Sequence, residues 1–370
     1  MNYRSFSGNA QNKEHIPQAT DDICNFQTDF PEPSTINNPS PRRHVLIDIK
    51  RDHWFKGNVH AHSTISDGKL SPEEVAELYK KHGYSFLAFS EHQCHTYHAN
   101  LEDPSFIILP AIERNKSFGN PKRYFHVNGI LGPKYLTDAA IRPPYNHMEY
   151  VPMPNLDDYP KAAQKSIDEL LEAGYMVMFN HPNWSFNCFN DLLSVNGYFA
   201  VEILNYTSQV ESGIGFSTVY WDALLRSGRK VWGIAADDNH NGNKFGEAPP
   251  DWDSFGGWVM VNATELSHEA ITSALLNGKF YSTMGPEIYH LAYDGKNVYV
   301  ECSPVQTIRF ISYFPHGYCR RDRHGKNIES AEYELRSTEK YVRVECVDEM
   351  GRIAWSNPIF LDTPFNPALI

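Results

Sequence analysis

The chain has 370 residues, of which 41% are hydrophobic and 21% are charged, a composition typical of globular proteins that bury a sizeable core. Acidic residues outnumber basic ones by 45 to 33, which gives a formal net charge of -12 at pH 7. This balance disfavours nucleic acid as a partner, because phosphate binding relies on clustered lysine and arginine.

The spacing of the cysteines and the lack of long apolar runs indicate in which cellular compartment the protein is expected. The six cysteines are far apart and form no C-x-x-C pair, which argues against a disulfide scaffold and a zinc ribbon. The first residues are polar, unlike a signal peptide, and no stretch approaches the roughly 20 apolar residues that cross a bilayer. We therefore expect a cytoplasmic protein with no membrane partner. The oligomeric state stays open.

The N-terminal segment, residues 1–43, is rich in Asn, Gln, Pro and Ser. Such a composition buries little apolar surface on its own. The sequence therefore predicts an extended or mobile arm.

Residues 44–285 alternate short apolar runs with helical patterns, which predicts α/β units. The clearest helix begins after Ser71, an N-cap residue that is followed by Pro72 and completed as a capping box by Glu74. Gly83 marks its end. Further helices are predicted over 160–173, 216–227 and 267–277.

Polar side chains with metal-binding chemistry follow the apolar strand patterns of this region. The predicted strands and the residues that follow them are 84–89 with Glu91 and His92, 106–111 with Glu113, 175–179 with His181, and 231–235 with Asp238 and His240. This layout is expected of a barrel whose site lies at the C-terminal rim of its strands.

The texture of the sequence changes after Gly285 and Pro286. Segments such as 297–302 and 340–346 alternate apolar and polar residues, and helical periodicity is weak. The sequence therefore predicts a small C-terminal all-β domain over residues 286–370, of sandwich type.

The strongest chemical signal is the pair His60 and His62, followed by Asp67. Residues two apart in a strand point to the same face, so both imidazoles can bind one ion. Taken alone, an H-x-H pattern fits an edge strand with two solvated histidines better than a metal site. The further histidines and carboxylates within or after apolar strands favour the metal site, because buried carboxylates without partners cost several kcal/mol and cations compensate them.

This series of motifs resembles the PHP superfamily, named for polymerase and histidinol phosphatase members, over roughly residues 54–285. The resemblance implies a distorted seven-stranded β/α barrel with two or three divalent metal ions. The implied ligands of the first metal are His60, His62, Glu113 and Asp238; Glu113 would bridge to a second metal bound by His126 and His181, and a third would be held by Asp67, His92 and His240. Ligand type leaves Zn, Mn and Fe open.

Two acidic residues next to implied ligands have an open role. Glu91 stands where family members commonly have Asp before the histidine, and Asp237 precedes Asp238. Each either binds a metal or orients a ligand through a hydrogen bond, and we place both in the orienting role.

Two C-terminal segments give a finer clue. Residues 280–286 and 354–359 look like the carbaryl-hydrolase-type branch, whose members cleave carbamates or amides. The same residues fit a turn and an edge strand without bearing on the substrate.

The resemblance implies hydrolysis by a hydroxide that the metals generate near neutral pH. We predict Glu113, Asp67 and His240 as catalytic, and Arg114, His95, Trp184 and Asn205 as substrate-binding. Arg114, with Lys122 and Arg123, would form a phosphate clamp, or these cations form a solvated basic face.

Three functions follow in order of preference. The first is a phosphoesterase acting on a small-molecule, anionic substrate. The second is an amide, ester or carbamate hydrolase of the same superfamily. The third is a metal-binding protein without turnover, which the completeness of the ligand set disfavours.

Overall fold

The computed structural model of the chain describes residues 44–50, 53–119, 122–136, 146–150, 153–154, 158–242, 246–315, 317–336 and 338–361. These residues all belong to one compact unit. The predicted N-terminal arm, residues 1–43, lies outside the described residues. Within the described ranges, no helix combines the length and the apolar character that spanning a membrane requires.

Strands dominate the structure. They are β1 His44–Asp48, β2 Trp54–Asn58, β3 Phe86–Phe89, β4 Cys94–His98, β5 Ile107–Phe118, β6 Arg123–Leu131, β7 Asn146–Tyr150, β8 Tyr175–Phe179, β9 Tyr198–Asn205, β10 Trp232–Ala236, β11 Trp258–Asn262, β12 Phe280–Thr283, β13 Ile288–Tyr293, β14 Asn297–Val305, β15 Thr307–Ser312, β16 Tyr318–Arg320, β17 Ile328–Glu334, β18 Tyr341–Val347, β19 Ile353–Ser356 and β20 Ile359–Phe360. The helices are α1 Pro72–Lys81, α2 Tyr159–Glu172, α3 Phe189–Leu193, α4 Tyr206–Ser212, α5 Thr218–Arg226 and α6 His268–Leu276, with a 3-10 turn over Ala99–Leu101.

The described strands form one large sheet and one small sheet. The large sheet runs β10-β9-β8-β6-β5-β3-β2-β11-β12-β19-β18-β15-β16, and β4, β7 and β20 pair at its side. Pairs β2–β3, β3–β5, β8–β9 and β9–β10 are parallel, whereas β5–β6 and β6–β8 are antiparallel. The fold is thus mixed α/β. The predicted distorted seven-stranded barrel is not confirmed, because pairing among the described strands follows an open path.

The ends of the predicted helices agree with the structure to within two residues, and α1 shows why. The Ser71 hydroxyl accepts a hydrogen bond from the backbone N–H of Glu74, whose carboxylate accepts from the N–H of Ser71. Pro72 occupies the first turn, and Gly83 follows the helix with φ +75°. These contacts satisfy backbone groups that a helix terminus leaves unpaired, so the capping residues set the boundaries.

An apolar layer lies among the strands that carry or precede the candidate metal ligands. It is formed by buried side chains of successive strands, among them Val59, Ala88, Leu109, Ala111, Ile130, Met178, Ala200, Ile234 and Ala236. Burial of these residues fixes each strand in the sheet, and thereby fixes the positions of the residues that follow it.

The described residues after Gly285 form strands β13 to β20. Four strands build the small sheet in the order β1-β13-β14-β17, and β19 joins the large sheet by antiparallel pairing with β12. The predicted β content of this region is confirmed. The domain boundary at residue 285 stays a prediction.

Candidate metal centre

The candidate ligands stand close to one another because their strands are neighbours in the sheet. His60 and His62 follow β2, His92 follows β3, His181 follows β8, and Asp238 and His240 follow β10, while Glu113 and His126 lie within the paired strands β5 and β6. Asp238 has φ 57°, which is unusual for a residue other than glycine. Its backbone N–H donates to the His60 carbonyl at 2.9 Å, so the turn after β10 is held against the extension of β2.

The innermost set comprises His60, His62, Glu113 and Asp238, all buried. Nε2 of His60 and Nε2 of His62 lie 3.0 and 2.9 Å from Oδ1 of Asp238. Each imidazole also lies 3.5 Å from an oxygen of Glu113. Nε2 of both histidines, Oε2 of Glu113 and Oδ1 of Asp238 have no hydrogen-bond partner of acceptable geometry among the described residues. Ligands at about 2.1 Å from a tetrahedral ion are separated by about 3.4 Å, so these atoms fit one ion.

Glu113 lies between this set and a second one. Nδ1 of His92 is 2.9 Å from Oε2 of Glu113, and Nδ1 of His126 is 3.0 Å from Oε1. Nε2 of His181 is 3.4 Å from the same Oε1. The two oxygens of one buried carboxylate thus face imidazoles on several sides. A bridging role for Glu113 stays a prediction, and this placement agrees with it.

A third set contains Asp67, His62, His92 and His240. Oδ1 of Asp67 lies 3.4 Å from Nε2 of His240, and Oδ2 lies 3.6 Å from Nε2 of His92. The Asp67 side chain is 53% exposed, whereas the innermost carboxylates are buried. This set is therefore the side of the cluster that faces solvent.

Burial and the close approach of imidazoles to carboxylates shift the pKa values of the groups in the cluster. Burial, together with the neighbouring His240 and His92, lowers the pKa of His62 to about 4, which leaves a neutral imidazole suited to metal binding. Burial opposes protonation of His240 too, but the carboxylates of Asp67 and Asp238 raise its pKa to about 10. Burial would raise the pKa of Glu113, but the surrounding imidazoles hold it well below its usual range. The carboxylates therefore need positive charge, which protons or metal cations can supply.

Glu202 is a buried carboxylate of the cluster that sequence reasoning missed. Its Oε1 lies 2.9 Å from Nδ1 of His60, and its Oε2 accepts from the backbone N–H of His181 at 2.8 Å. The missed signal was a single carboxylate within the apolar run of β9.

Glu91 and Asp237 both hold loops near the cluster. Glu91 accepts hydrogen bonds from the hydroxyls and backbone N–H groups of Ser63 and Ser66, which precede Asp67. Asp237 accepts from the Tyr79 hydroxyl at 2.8 Å and from three successive N–H groups over 255–257, each at 2.9 Å. Burial raises the pKa of Asp237 to about 7 despite these bonds. These contacts are those of residues that orient a loop.

Two of the predicted substrate-binding residues contact the cluster. The Trp184 ring lies 5.0 Å from the His181 ring and 5.6 Å from the His126 ring, between centroids. The Asn205 amide donates to Oδ2 of Asp238 at 2.9 Å and to Oε2 of Glu202 at 3.0 Å, and its side chain is buried. Trp184 is placed to form a wall of the site, whereas Asn205 holds two carboxylates.

The other two predicted substrate-binding residues contact different parts of the molecule. Arg114 is buried, and its guanidinium donates to Glu169 at 2.8 Å and to the Ser166 carbonyl at 3.4 Å, both on α2. Neighbouring residues of a strand face opposite sides, so Arg114 points away from Glu113 and the phosphate-clamp hypothesis is not favoured. Nδ1 of His95 lies 2.6 Å from the Tyr175 hydroxyl, at the start of β8.

No protein-family model matches the sequence, and no match is found among curated proteins. A two-domain protein from Bacteroides vulgatus, described as containing a predicted PHP-like metal-dependent phosphoesterase, matches 85% of this chain and 95% of its own at 14% identity and TM-score 0.38. A protein from Bifidobacterium adolescentis described as a candidate metal-dependent phosphoesterase matches 53% of this chain and 93% of its own at 13% identity and TM-score 0.32. An amidohydrolase from Chromobacterium violaceum with bound sulfate and no metal matches 50% and 87% at 14% identity and TM-score 0.33.

Because these TM-scores are low, the functional argument rests on the side-chain geometry. The carbaryl-hydrolase-like branch stays a prediction. The His, Asp and Glu cluster of this chain fits a metal site, in agreement with the sequence resemblance.

Proposed function

We propose that this chain is a metal-dependent hydrolase of the PHP superfamily that cleaves small-molecule phosphoesters. The observation that carries the proposal is the convergence of buried polar atoms, without hydrogen-bond partners of acceptable geometry among the described residues, on one point between His60, His62, Glu113 and Asp238. Leaving such atoms unsatisfied costs free energy, and a bound cation removes that cost.

Two or three divalent ions, of Zn, Mn or Fe, would be held by the three overlapping sets. When bound, such ions make hydroxide available near neutral pH and stabilise the negative charge that develops on the substrate. Glu113, between two sets, would hold two ions at once. Asp67, His92 and His240, on the exposed side, would be the first ligands that a substrate meets. Glu202 and Asn205 would keep the imidazole of His60 and the carboxylate of Asp238 in place.

The seven-stranded barrel belongs to the same proposal. The large sheet contains the contiguous series β10-β9-β8-β6-β5-β3-β2, and an isolated parallel bridge joins Ala61 to Asn239 beyond the ends of β2 and β10. The backbone N–H of His62 donates to the Asn239 carbonyl at 3.1 Å. These contacts support a distorted barrel that is drawn together at its metal-binding rim.

Metal content and turnover test the proposal together. We expect at least two equivalents of transition metal per chain after gentle purification, and phosphatase activity that a chelator abolishes and added Mn or Zn restores. Glu113→Gln should lose metal and activity while the protein stays folded, because the amide carries no charge to hold two ions. One equivalent or less in the wild type, or full metal content in Glu113→Gln, would contradict the cluster as described. Metal without turnover on any substrate would favour a binding protein.

Hydrolysis of a neutral ester, amide or carbamate is the second candidate, and the placement of Arg114 favours it. Because this guanidinium is bound to Glu169 on α2, it is not available to hold the non-bridging oxygens of a phosphate. Parallel assays of 4-nitrophenyl phosphate and 4-nitrophenyl acetate under identical metal loading decide between the two. A higher kcat/KM for the acetate, relative to the uncatalysed rates, would replace the phosphoesterase proposal.

A further inference from the structure

A cleft of about 340 Å³ opens beside β2, β11 and β12, which are neighbours in the large sheet. The side chains that line it include Trp54, Lys56, Trp258, Met260, Tyr281 and Glu287. Strand pairing places Lys56, Met260 and Tyr281 in one row across the three strands. Trp54 and Trp258 each lie two residues along their strand from a member of this row, so they face the same side of the sheet. These side chains therefore form one surface.

The cleft is separate from the candidate metal centre. None of the residues that line it is a candidate ligand. The ligands follow the ends of β2 and β3, whereas the cleft takes Trp54 and Lys56 from within β2 and Gly83 and Ser85 from the chain before β3. Its volume is at the lower end of the roughly 300–1,000 Å³ that small-molecule pockets occupy. A ligand of one or two rings fits this space.

Lys56 brings a half-buried positive charge to the cleft. Its Nζ lies 4.0 Å from the centre of the Tyr84 ring and 4.2 Å from that of the Trp258 ring, and it donates to the His82 carbonyl at 3.3 Å. Burial lowers the pKa of Lys56, and Asp237 opposes this shift.

Within the described ranges, no carboxylate forms an ion pair with the Lys56 ammonium. Asp237 accepts its hydrogen bonds from the Tyr79 hydroxyl and from the backbone over 255–257 instead. A charge held away from water is stabilised by an opposite charge more strongly than an exposed one. The cleft therefore favours a ligand with a negative group at this end.

The remainder of the lining describes the other parts of the ligand. The rings of Trp54 and Tyr281 lie 5.7 Å apart, and the Met260 side chain lies between Lys56 and Tyr281 in the row. Indole, phenol and thioether groups pack well against a flat apolar ring. The fully buried Tyr281 hydroxyl has no hydrogen-bond partner of acceptable geometry among the described residues.

Glu287 limits the charge that the ligand can carry. Its side chain is exposed and accepts from the Tyr289 hydroxyl at 3.0 Å. Burial, with the added charge of Glu287, raises the pKa of Tyr281, which lies at the opposite end of the row from Lys56. A second negative group at that end would meet this carboxylate, so a single negative charge is favoured.

We propose that this cleft is a second binding site and that its ligand is a small aromatic monocarboxylate. The carboxylate pairs with the ammonium of Lys56, and the ring packs against Met260 and Trp54. Charge pairing selects the acid, and burial of apolar area selects the ring. The site is independent of the proposed hydrolase function.

Calorimetric titration of the metal-loaded protein with 2-naphthoate tests the proposal. We expect one site per chain and binding that is weaker by about tenfold or more in Lys56→Met, because a charge-assisted contact is lost. Lys80→Met is the matched control, because Lys80 also lies over a ring, that of Phe106 at 5.0 Å, but is paired with Asp103 and does not line the cleft. It should bind as the wild type does. The neutral 2-naphthamide should bind the wild type and Lys56→Met equally.

Glu287→Gln provides a second variant, at an exposed side chain, that applies even if Lys56→Met is unstable in thermal unfolding. The dianion 2,6-naphthalenedicarboxylate should bind the wild type more weakly than 2-naphthoate does. Glu287→Gln should reduce this difference, because the carboxylate that repels the second charge is gone. An unchanged difference would contradict the placement of the ligand.

Chelation distinguishes the cleft from the metals, which also bind carboxylates. Binding of 2-naphthoate that persists with a chelator and weakens in Lys56→Met supports the cleft. Three results would each overturn it: no binding of 2-naphthoate, binding that disappears on chelation, or equal affinity in Lys56→Met and Lys80→Met. None of them bears on the proposed function, which metal content and turnover test.

Discussion

At the scale of single residues, Glu202 connects two candidate ligands, His60 and His181, that follow different strands. It faces Nδ1 of His60 with one oxygen and the backbone of His181 with the other. An imidazole whose Nδ1–H donates to a carboxylate is fixed in the tautomer that offers Nε2 to a metal. Glu202 is therefore a positioning residue, and it acts through the ring of His60.

Replacing Glu202 by Gln tests this role. Loss of the charge should weaken metal binding by about 10–100-fold, because outer contacts of this type fix the ring and raise its basicity. Metal affinity is measured by competition with a chelator, and thermal unfolding of the chelated protein checks that the fold is intact. Glu211→Gln, an exposed glutamate on α4, is the matched control and should bind metal as the wild type does. Equal affinity in both variants would show that His60 needs no help from Glu202.

Arg114→Ala should act on stability and not on substrate choice. Its buried guanidinium pairs with Glu169, whose side chain is 39% exposed, so its removal should lower the free energy of unfolding by about 1–3 kcal/mol. Phosphoester and neutral ester hydrolysis should then change by the same factor. Lys165→Ala, which removes an exposed partner of the same Glu169, should change stability little. A selective loss of phosphoester activity in Arg114→Ala would restore the phosphate clamp that the sequence predicted.

The candidate ligands could be identified from the sequence because each is a polar residue within or after an apolar strand. This contrast between polar and apolar residues is visible without knowledge of the fold. The sequence did not reveal Glu202, whose partner His60 is 142 positions away. Nor did it reveal the direction of Arg114, because sequence neighbours in a strand face opposite sides, so adjacency to Glu113 does not bring the two side chains together. The local sequence pattern does not predict which strands become neighbours, so it does not predict the contacts between them.

At the scale of elements, local signals set the helices and long-range pairing set the strands. The capping box fixed the start of α1 because its residues act on one another within a single turn. The strand predicted over 106–111 instead extends as β5 to Phe118, because β6 pairs with it along that length. Glu113 therefore lies inside a strand and not past its end. The pairing of β4 with β7 was not predicted, since it joins segments about 50 residues apart.

The contact between α6 and β6 should make the free energy of unfolding depend on pH. His268, at the start of α6, lies with Nε2 3.0 Å from the Leu131 carbonyl, and burial lowers its pKa to about 4. Between pH 6.5 and 4 the unfolded chain binds a proton at His268 that the folded chain does not. The free energy of unfolding therefore rises with pH in this interval and falls as the solution becomes acidic.

Denaturant unfolding of the wild type and His268→Gln from pH 7.5 to pH 5 measures this effect. Glutamine can still donate to the Leu131 carbonyl but does not titrate. The wild type should lose about 2 kcal/mol more than the variant by pH 5, from 1.36 kcal/mol per pKa unit over about 1.5 units. Chelator is present in both, so metal release does not contribute. Parallel pH profiles would mean that His268 is solvated in the folded protein.

At the scale of the whole molecule, the C-terminal strands are tied to the helices of the main sheet by a buried charge network. Arg343 on β18 donates from Nε and Nη2 to Asp222 on α5 at 3.0 and 3.1 Å, and from Nη1 to Glu345 at 2.7 Å. Its guanidinium lies 4.7 Å from the Trp221 ring. The same strands are also joined to the large sheet through the pairing of β12 with β19. The two regions are therefore expected to unfold together.

Arg343→Ala tests how far this network holds the molecule together. The change leaves the carboxylates of Asp222 and Glu345, 17% and 8% exposed, close together without their shared cation. Breaking a buried pair in this way should lower the free energy of unfolding by about 3–5 kcal/mol. Arg309→Ala is the matched control, because Arg309 pairs with the same Glu345 but is 45% exposed, and it should cost at most about 1 kcal/mol. Metal content should be unchanged in both variants, since neither residue contacts a candidate ligand in the described structure. Hydrogen exchange in Arg343→Ala should become faster in β18 and α5 together. If protection from exchange were lost in β18 only, or lost no more than in Arg309→Ala, β18 would be held by sheet pairing alone.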